Sequence, residues 1–217
     1  MPRRRRPYAR SDLDYRPSAG GCELAALCEV RREDPAALAT LSLALERELI
    51  TRGAAHRPVA FACIGTDRST GDALGPLVGQ RLLRLGVDRR GVVGTLEEPL
   101  HALNLEGRVR PLLEHPGRPL VVAVDAALGS TAAVGCVSLR GGGLRPGQGV
   151  GKSLPSVGEL SVTATVNVQA GALDVQILQS TRLFLVQELA EMISVACWWA
   201  QRNARRAAAA PAAAMAV

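Results

Sequence analysis

The sequence predicts an α/β fold, a mostly parallel central sheet covered by helices, and three observations lead there. Two short unbroken apolar runs, Val-Ala-Phe-Ala-Cys-Ile at 59–64 and Leu-Val-Val-Ala-Val at 120–124, have the composition of strands buried on both faces. Segments with leucines at helical spacing alternate with these runs, which implies right-handed crossovers between parallel strands. Aromatic residues are only 3% of the chain against 47% hydrophobic residues. The core must then be built from Leu, Val, Ile and Ala, which suits a sheet sheathed in helices better than an aromatic-rich sandwich.

The elements follow in order. A chain of 217 residues is long enough for one substantial core and short for two ordinary domains. Residues 1–21, rich in Arg, Pro, Gly and Ser, read as a disordered tail, residues 22–202 as one domain, and residues 203–217 as an Ala-rich tail. Asp34 followed by Pro35 reads as an N-cap and first helical position, and Leu38, Leu41, Leu45 and Leu49 share one helical face up to Gly53. The strand at 58–64 is followed by a loop, 65–71, and a helix beginning around Asp72 that carries Leu74, Leu77, Val78, Leu82 and Leu85. A weaker strand is expected at 92–96, a helix at 101–114, and a strand at 120–124 closed by Asp125. Strands at 133–139 and 160–168 flank the glycine-rich stretch 141–151, and a last helix, about 181–202, covers one face of the sheet.

Charge and cysteine usage exclude several functions. The formal net charge of +6 resides in the termini: Arg3, Arg4, Arg5, Arg6, Arg10, Arg202, Arg205 and Arg206 account for eight of the 26 basic residues. The remaining 18 face 20 acids, so residues 11–201 carry about −2 and no basic groove for nucleic acid is expected. Weak contact of the Arg-rich arm with a polyanion is the one exception. Five cysteines, an odd number without CxxC spacing, point to a reducing compartment and away from a disulfide frame or a zinc site. With no signal-type apolar segment and no run of about 18 apolar residues, the chain is expected to be cytoplasmic and without a membrane partner.

The residues that can carry chemistry gather at strand ends. Ligands of open α/β sheets bind beyond the carboxyl ends of the strands. Asp72 follows the first buried strand and Asp125 follows the second, so a fold that sets those strands side by side brings two carboxyls to one crevice. Such a pair shares a proton, one member serving as acid and the other as base. Glu97, Glu98, His101 and Asn104 cluster after the weak strand, at the same edge. A Ser-His-Asp triad is not supported, because there is no GxSxG and neither Ser130 nor Ser156 has an assigned base. The 65–71 loop lacks both GxGxxG and GxxxxGK[ST], and no cofactor is expected.

The string Ile-Gly-Thr-Asp-Arg-Ser-Thr-Gly-Asp-Ala-Leu-Gly-Pro at 64–76, with Val124-Asp125-Ala126 and Lys152-Ser153-Leu154-Pro155, resembles the YyaC-type sporulation protein family. That resemblance spans roughly residues 38–201. It implies kinship with the germination protease of bacterial spores and, more distantly, with the hydrogenase maturation endopeptidases, hence a three-layer phosphorylase/hydrolase-like fold with helices on both faces. The germination protease segment Thr-Pro-Asp-Ala-Leu-Gly-Pro is similar to residues 70–76 with Gly71 in place of Pro, which implies catalytic roles for Asp72 and Asp125. Asp67, Ser69, Glu98, His101, Asn104 and Lys152 become candidate substrate-binding residues. The hydrogenase enzymes use two acids and one His to bind nickel of their substrate, but residues 154–156 hold no His, so no metal is expected. The resemblance implies a sporulation-associated peptidase of atypical aspartic type acting on protein or peptide substrates such as small acid-soluble spore proteins. The alternative is a non-catalytic sporulation protein that keeps the scaffold as a binding or regulatory module.

Overall fold

In a computed structural model, which describes residues 26–114, 117–144 and 156–209, six strands form one sheet in the order β1-β5-β6-β4-β2-β3. These are β1 (Ala26–Arg31), β2 (Val59–Cys63), β3 (Val92–Val93), β4 (Leu120–Gly129), β5 (Cys136–Gly141) and β6 (Leu160–Val168). β3, β2, β4 and β6 run parallel, while β5 is antiparallel to both β6 and β1. The helices are α1 (Ala37–Thr51), α2 (Leu74–Arg84), α3 (Leu105–Glu114), α4 (Asp174–Gln179) and α5 (Leu183–Ala209).

Alternation along the strands divides the core into two layers, because successive side chains of a strand point to opposite faces. Val59, Phe61 and Cys63 of β2, with Val122 and Val124 of β4, pack under α1, α2 and α5. Ala60, Ala62, Val121 and Ala123 face the other way, against Leu105 and Val109 of α3 and against Leu100. All five β2 residues are buried, which is why that strand carries no polar residue. The result is the three-layer α/β arrangement expected from the sequence.

Several boundaries differ from the sequence expectations. Asp34 does not cap α1: its carboxylate accepts the Ala36 N–H (2.8 Å) in a turn, and the helix begins at Ala37. β1, in which only Val30 is buried, pairs at the sheet edge with β5 and is not among the strands expected from the sequence. The strand expected at 92–96 is only Val92–Val93, and α3 begins at Leu105 because residues 94–104 form a loop tied to the end of β2. α5 continues past Arg202 to Ala209, with Ala204 fully buried. By length and composition alone α5 is long and apolar enough to cross a membrane, and its apolar face here is packed into the core through Leu189, Ile193, Ala196, Cys197 and Ala200.

Candidate active site

The site lies where β2 and β4 part. Their pairing ends at Cys63 and Val124, whereas β4 continues beside β6 from Asp125 opposite Thr163 to Gly129 opposite Val168. Asp125 therefore does not end its strand, as the apolar run suggested. It is the first β4 residue after the last β2 pair, and it shares a face with Val121 and Ala123, the face toward α3. β2 leads toward β3 on one side and β4 toward β5 and β6 on the other, a switch point of the kind at which α/β sheets open a crevice.

The chain leaving β2 turns into that opening and carries Asp72. A short 3-10 turn, Gly71–Ala73, precedes α2, so Asp72 is on a tight turn and not at a helix cap. Two glycines seat this turn on the strand end. Gly65, at φ 140°, lets the loop fold back until a Cβ there would lie 1.9 Å from the Asp72 carbonyl oxygen, which accepts the Thr66 N–H at 3.1 Å. At Gly75 a Cβ would lie 1.9 Å from the Ile64 carbonyl oxygen. Gly71 has its own reason: a Cβ would meet Leu178 Cδ2 at 2.8 Å and Thr181 Oγ1 at 2.9 Å. Thr181 is in turn fixed to β6, because Asn167 Nδ2 donates to Thr181 Oγ1 (3.2 Å) and Thr181 Oγ1 donates to the Ile177 carbonyl (2.8 Å).

The two carboxyls feel each other. Asp125 keeps some solvent-exposed surface, yet burial pushes its carboxyl well above the usual carboxylate range, the negative charge of Asp72 pushes it further, and the Ala126 N–H (2.8 Å) opposes both. Asp72 is raised chiefly by burial, and the Thr66 N–H and the charge of His101 offset part of this. Asp125 is thus the member that keeps its proton to higher pH, and Asp72 the one that ionises first.

His101 joins them through a braced loop. Its backbone N–H donates to Asn104 Oδ1 (2.9 Å), Asn104 Nδ2 donates to the Pro99 carbonyl (3.0 Å), and Gly65 N–H donates to the Leu100 carbonyl (2.8 Å). The ring Nδ1 accepts the Leu103 N–H at 3.3 Å. Beside His101 opens a cleft of about 530 Å³ between the 66–68 loop and residues 96–103.

The other candidates divide. Asp67 lines the cleft with His101. Ser69 is half-buried, and its Oγ has no hydrogen-bond partner among the described residues. Glu98 is engaged elsewhere: Arg108 (2.6 Å) and Arg89 (3.5 Å) bind its carboxylate, and the Arg108 hydrogen bond leads in holding it below the usual range. Asn104 braces the His101 loop with both ends of its amide. Lys152 lies outside the described residues. Asn167 and Thr181, which hold the wall behind Gly71, are not among the sequence candidates; Asn167 is one of four alternating polar residues of β6, and nothing local distinguishes it. Among the described residues, no group of three or more His, Cys, Asp or Glu is placed to hold a metal ion.

Comparison with known proteins gives two matches. Residues 29–196 match the profile of a family described as "Protein of unknown function (DUF1256)". A protein of Bacillus subtilis (strain 168), described as "Uncharacterized protein YyaC", is 42% identical over 165 residues, which cover 76% of this chain and 79% of that protein.

Proposed function

The chain belongs to the DUF1256 family and is similar to YyaC of Bacillus subtilis; on that premise we propose that it is a peptidase that uses Asp72 and Asp125 to hydrolyse peptide bonds of spore proteins. The observation that carries this reading is the pair itself: Asp125 on β4 and Asp72 on the turn that follows the adjoining parallel strand β2 are both raised by burial, and the charge of Asp72 raises Asp125 further, beside an open cleft. The likeness of residues 70–76 to the germination protease segment supports the choice of substrate class. Gly71, the departure from that segment, has a packing cause in Leu178 and Thr181.

The chemistry follows from the order of ionisation. Asp72, ionised, takes a proton from water as the water oxygen bonds to the substrate carbonyl carbon, while Asp125 gives its proton to the carbonyl oxygen. When the tetrahedral species collapses, the C–N bond breaks, Asp72 protonates the departing nitrogen and Asp125 recovers its proton. His101, when it carries a positive charge, favours the ionised form of Asp72. Incubation of the purified chain with small acid-soluble spore proteins, read by mass spectrometry, tests the proposal. Cleavage by the native chain that falls by about 10²- to 10⁴-fold in both Asp72→Asn and Asp125→Asn is expected; cleavage unchanged in either variant overturns the pair as the catalyst.

A further inference from the structure

We propose that the cleft between the 66–68 loop and residues 96–103 is a specificity subsite that selects a peptide segment with an apolar side chain beside a lysine or arginine; the position of the scissile bond rests on the peptidase reading. Thr66, whose N–H donates to the Asp72 carbonyl at 3.1 Å, lines this cleft with His101, so the cleft opens beside the turn that carries Asp72. Neither Asp72 nor Asp125 lines it. It therefore receives residues next to the reacting bond and not the bond itself.

The lining states what those residues are. Leu103 is 81% exposed and Leu96 37%, an apolar wall that the fold leaves open although the Asn104 amide holds the adjoining backbone in place. Two carboxylates, Asp67 and Glu97, lie in the same lining and have no ion pair among the described residues, whereas neighbouring Glu98 is bound by Arg89 and Arg108. Arg68 opposes one of these two charges and leaves the lining acidic on balance. An apolar wall with a net acidic rim and a braced backbone complements a segment that is apolar and cationic.

The test uses the full chain carrying Asp125→Asn, so that binding is read without turnover, against an array of nonapeptides. A central Leu or Ala is combined with Lys, Gln or Glu at the adjacent positions. The Leu and Lys peptides should bind about tenfold tighter than Leu and Glu peptides, as two partly desolvated charge pairs would give. Adding Asp67→Lys and Glu97→Lys should reverse that order, and adding Leu103→Asp, at an exposed position, should abolish the preference for Leu over Ala. Equal binding of Lys and Glu peptides, no binding of any peptide, or an unchanged profile after charge reversal overturns the subsite. The native chain with the same peptides separates the two proposals: selective binding without cleavage sinks the peptidase reading and keeps the subsite, while cleavage indifferent to both features does the opposite.

Discussion

Replacing Gly75 by Ala should damage the site and the fold together, and the size of the effect follows from distances. A Cβ at residue 75 would lie 1.9 Å from the Ile64 carbonyl oxygen, 2.6 Å from the Ile64 nitrogen and 2.7 Å from its carbonyl carbon. All three are backbone atoms, and Ile64 N–H is itself bound to the Val124 carbonyl at 2.7 Å, so no flexible side chain can yield. Restoring ordinary contact, 3.4 Å or more, requires the start of α2 to withdraw from the strand end by roughly 1.5 Å. Overpacking of that kind costs about 1 to 3 kcal/mol. The same shift moves Asp72, three residues earlier, and a misplacement of about 1 Å costs about 10²-fold in rate. Gly107, in α3, is the control, because a Cβ there would meet nothing within 4 Å: Gly107→Ala should gain about 0.5 to 1 kcal/mol. Urea unfolding gives the stabilities and peptide cleavage the rates. A Gly75→Ala protein as stable and as active as the native chain would refute the claim that close backbone approach places Asp72.

Other consequences are as direct. Asp125→Asn should stabilise the protein at neutral pH. The native carboxyl is raised on folding, so its ionisation penalty is absent below the ordinary carboxylate range and grows as pH rises toward the folded value; urea melts of the two proteins should therefore coincide in acid and diverge above it. Asn104→Ala removes both hydrogen bonds that brace the His101 loop and should cost about 1 to 3 kcal/mol, with amide exchange at His101 increased. Burial pushes the Cys63 thiol well up and that of Cys197 up to about 12, so a thiol reagent should spare both in the folded protein and reach them only as urea unfolds it.

How much of this is legible in the sequence depends on whether the signal is local. The buried parallel strands announce themselves because both faces are covered, and their apolar runs leave nothing else to be. That the two runs lie side by side is shown only by the pairing of β2 with β4; in the sequence it is the condition on which Asp72 and Asp125 share a crevice. β1 is not legible, since an edge strand with one buried residue has no apolar period. Nor is the continuation of β4 past Asp125, because its later residues owe their strand geometry to pairing with β6 and not to their own composition. The roles of Glu98 and Asn104 were hidden for a related reason: Arg89, Arg108 and Pro99 claim them through loop geometry that residue spacing does not encode.

The central claim is that Asp72 and Asp125 act as one acid–base unit, and titration of ¹³C-labelled aspartate carboxyls by NMR tests it most directly. Asp125 should titrate well above the usual carboxylate range, and Asp72→Asn should lower it by removing the neighbouring charge while burial keeps it raised. Two carboxyls that titrate at ordinary values, with Asp125 indifferent to the loss of Asp72, would contradict the account.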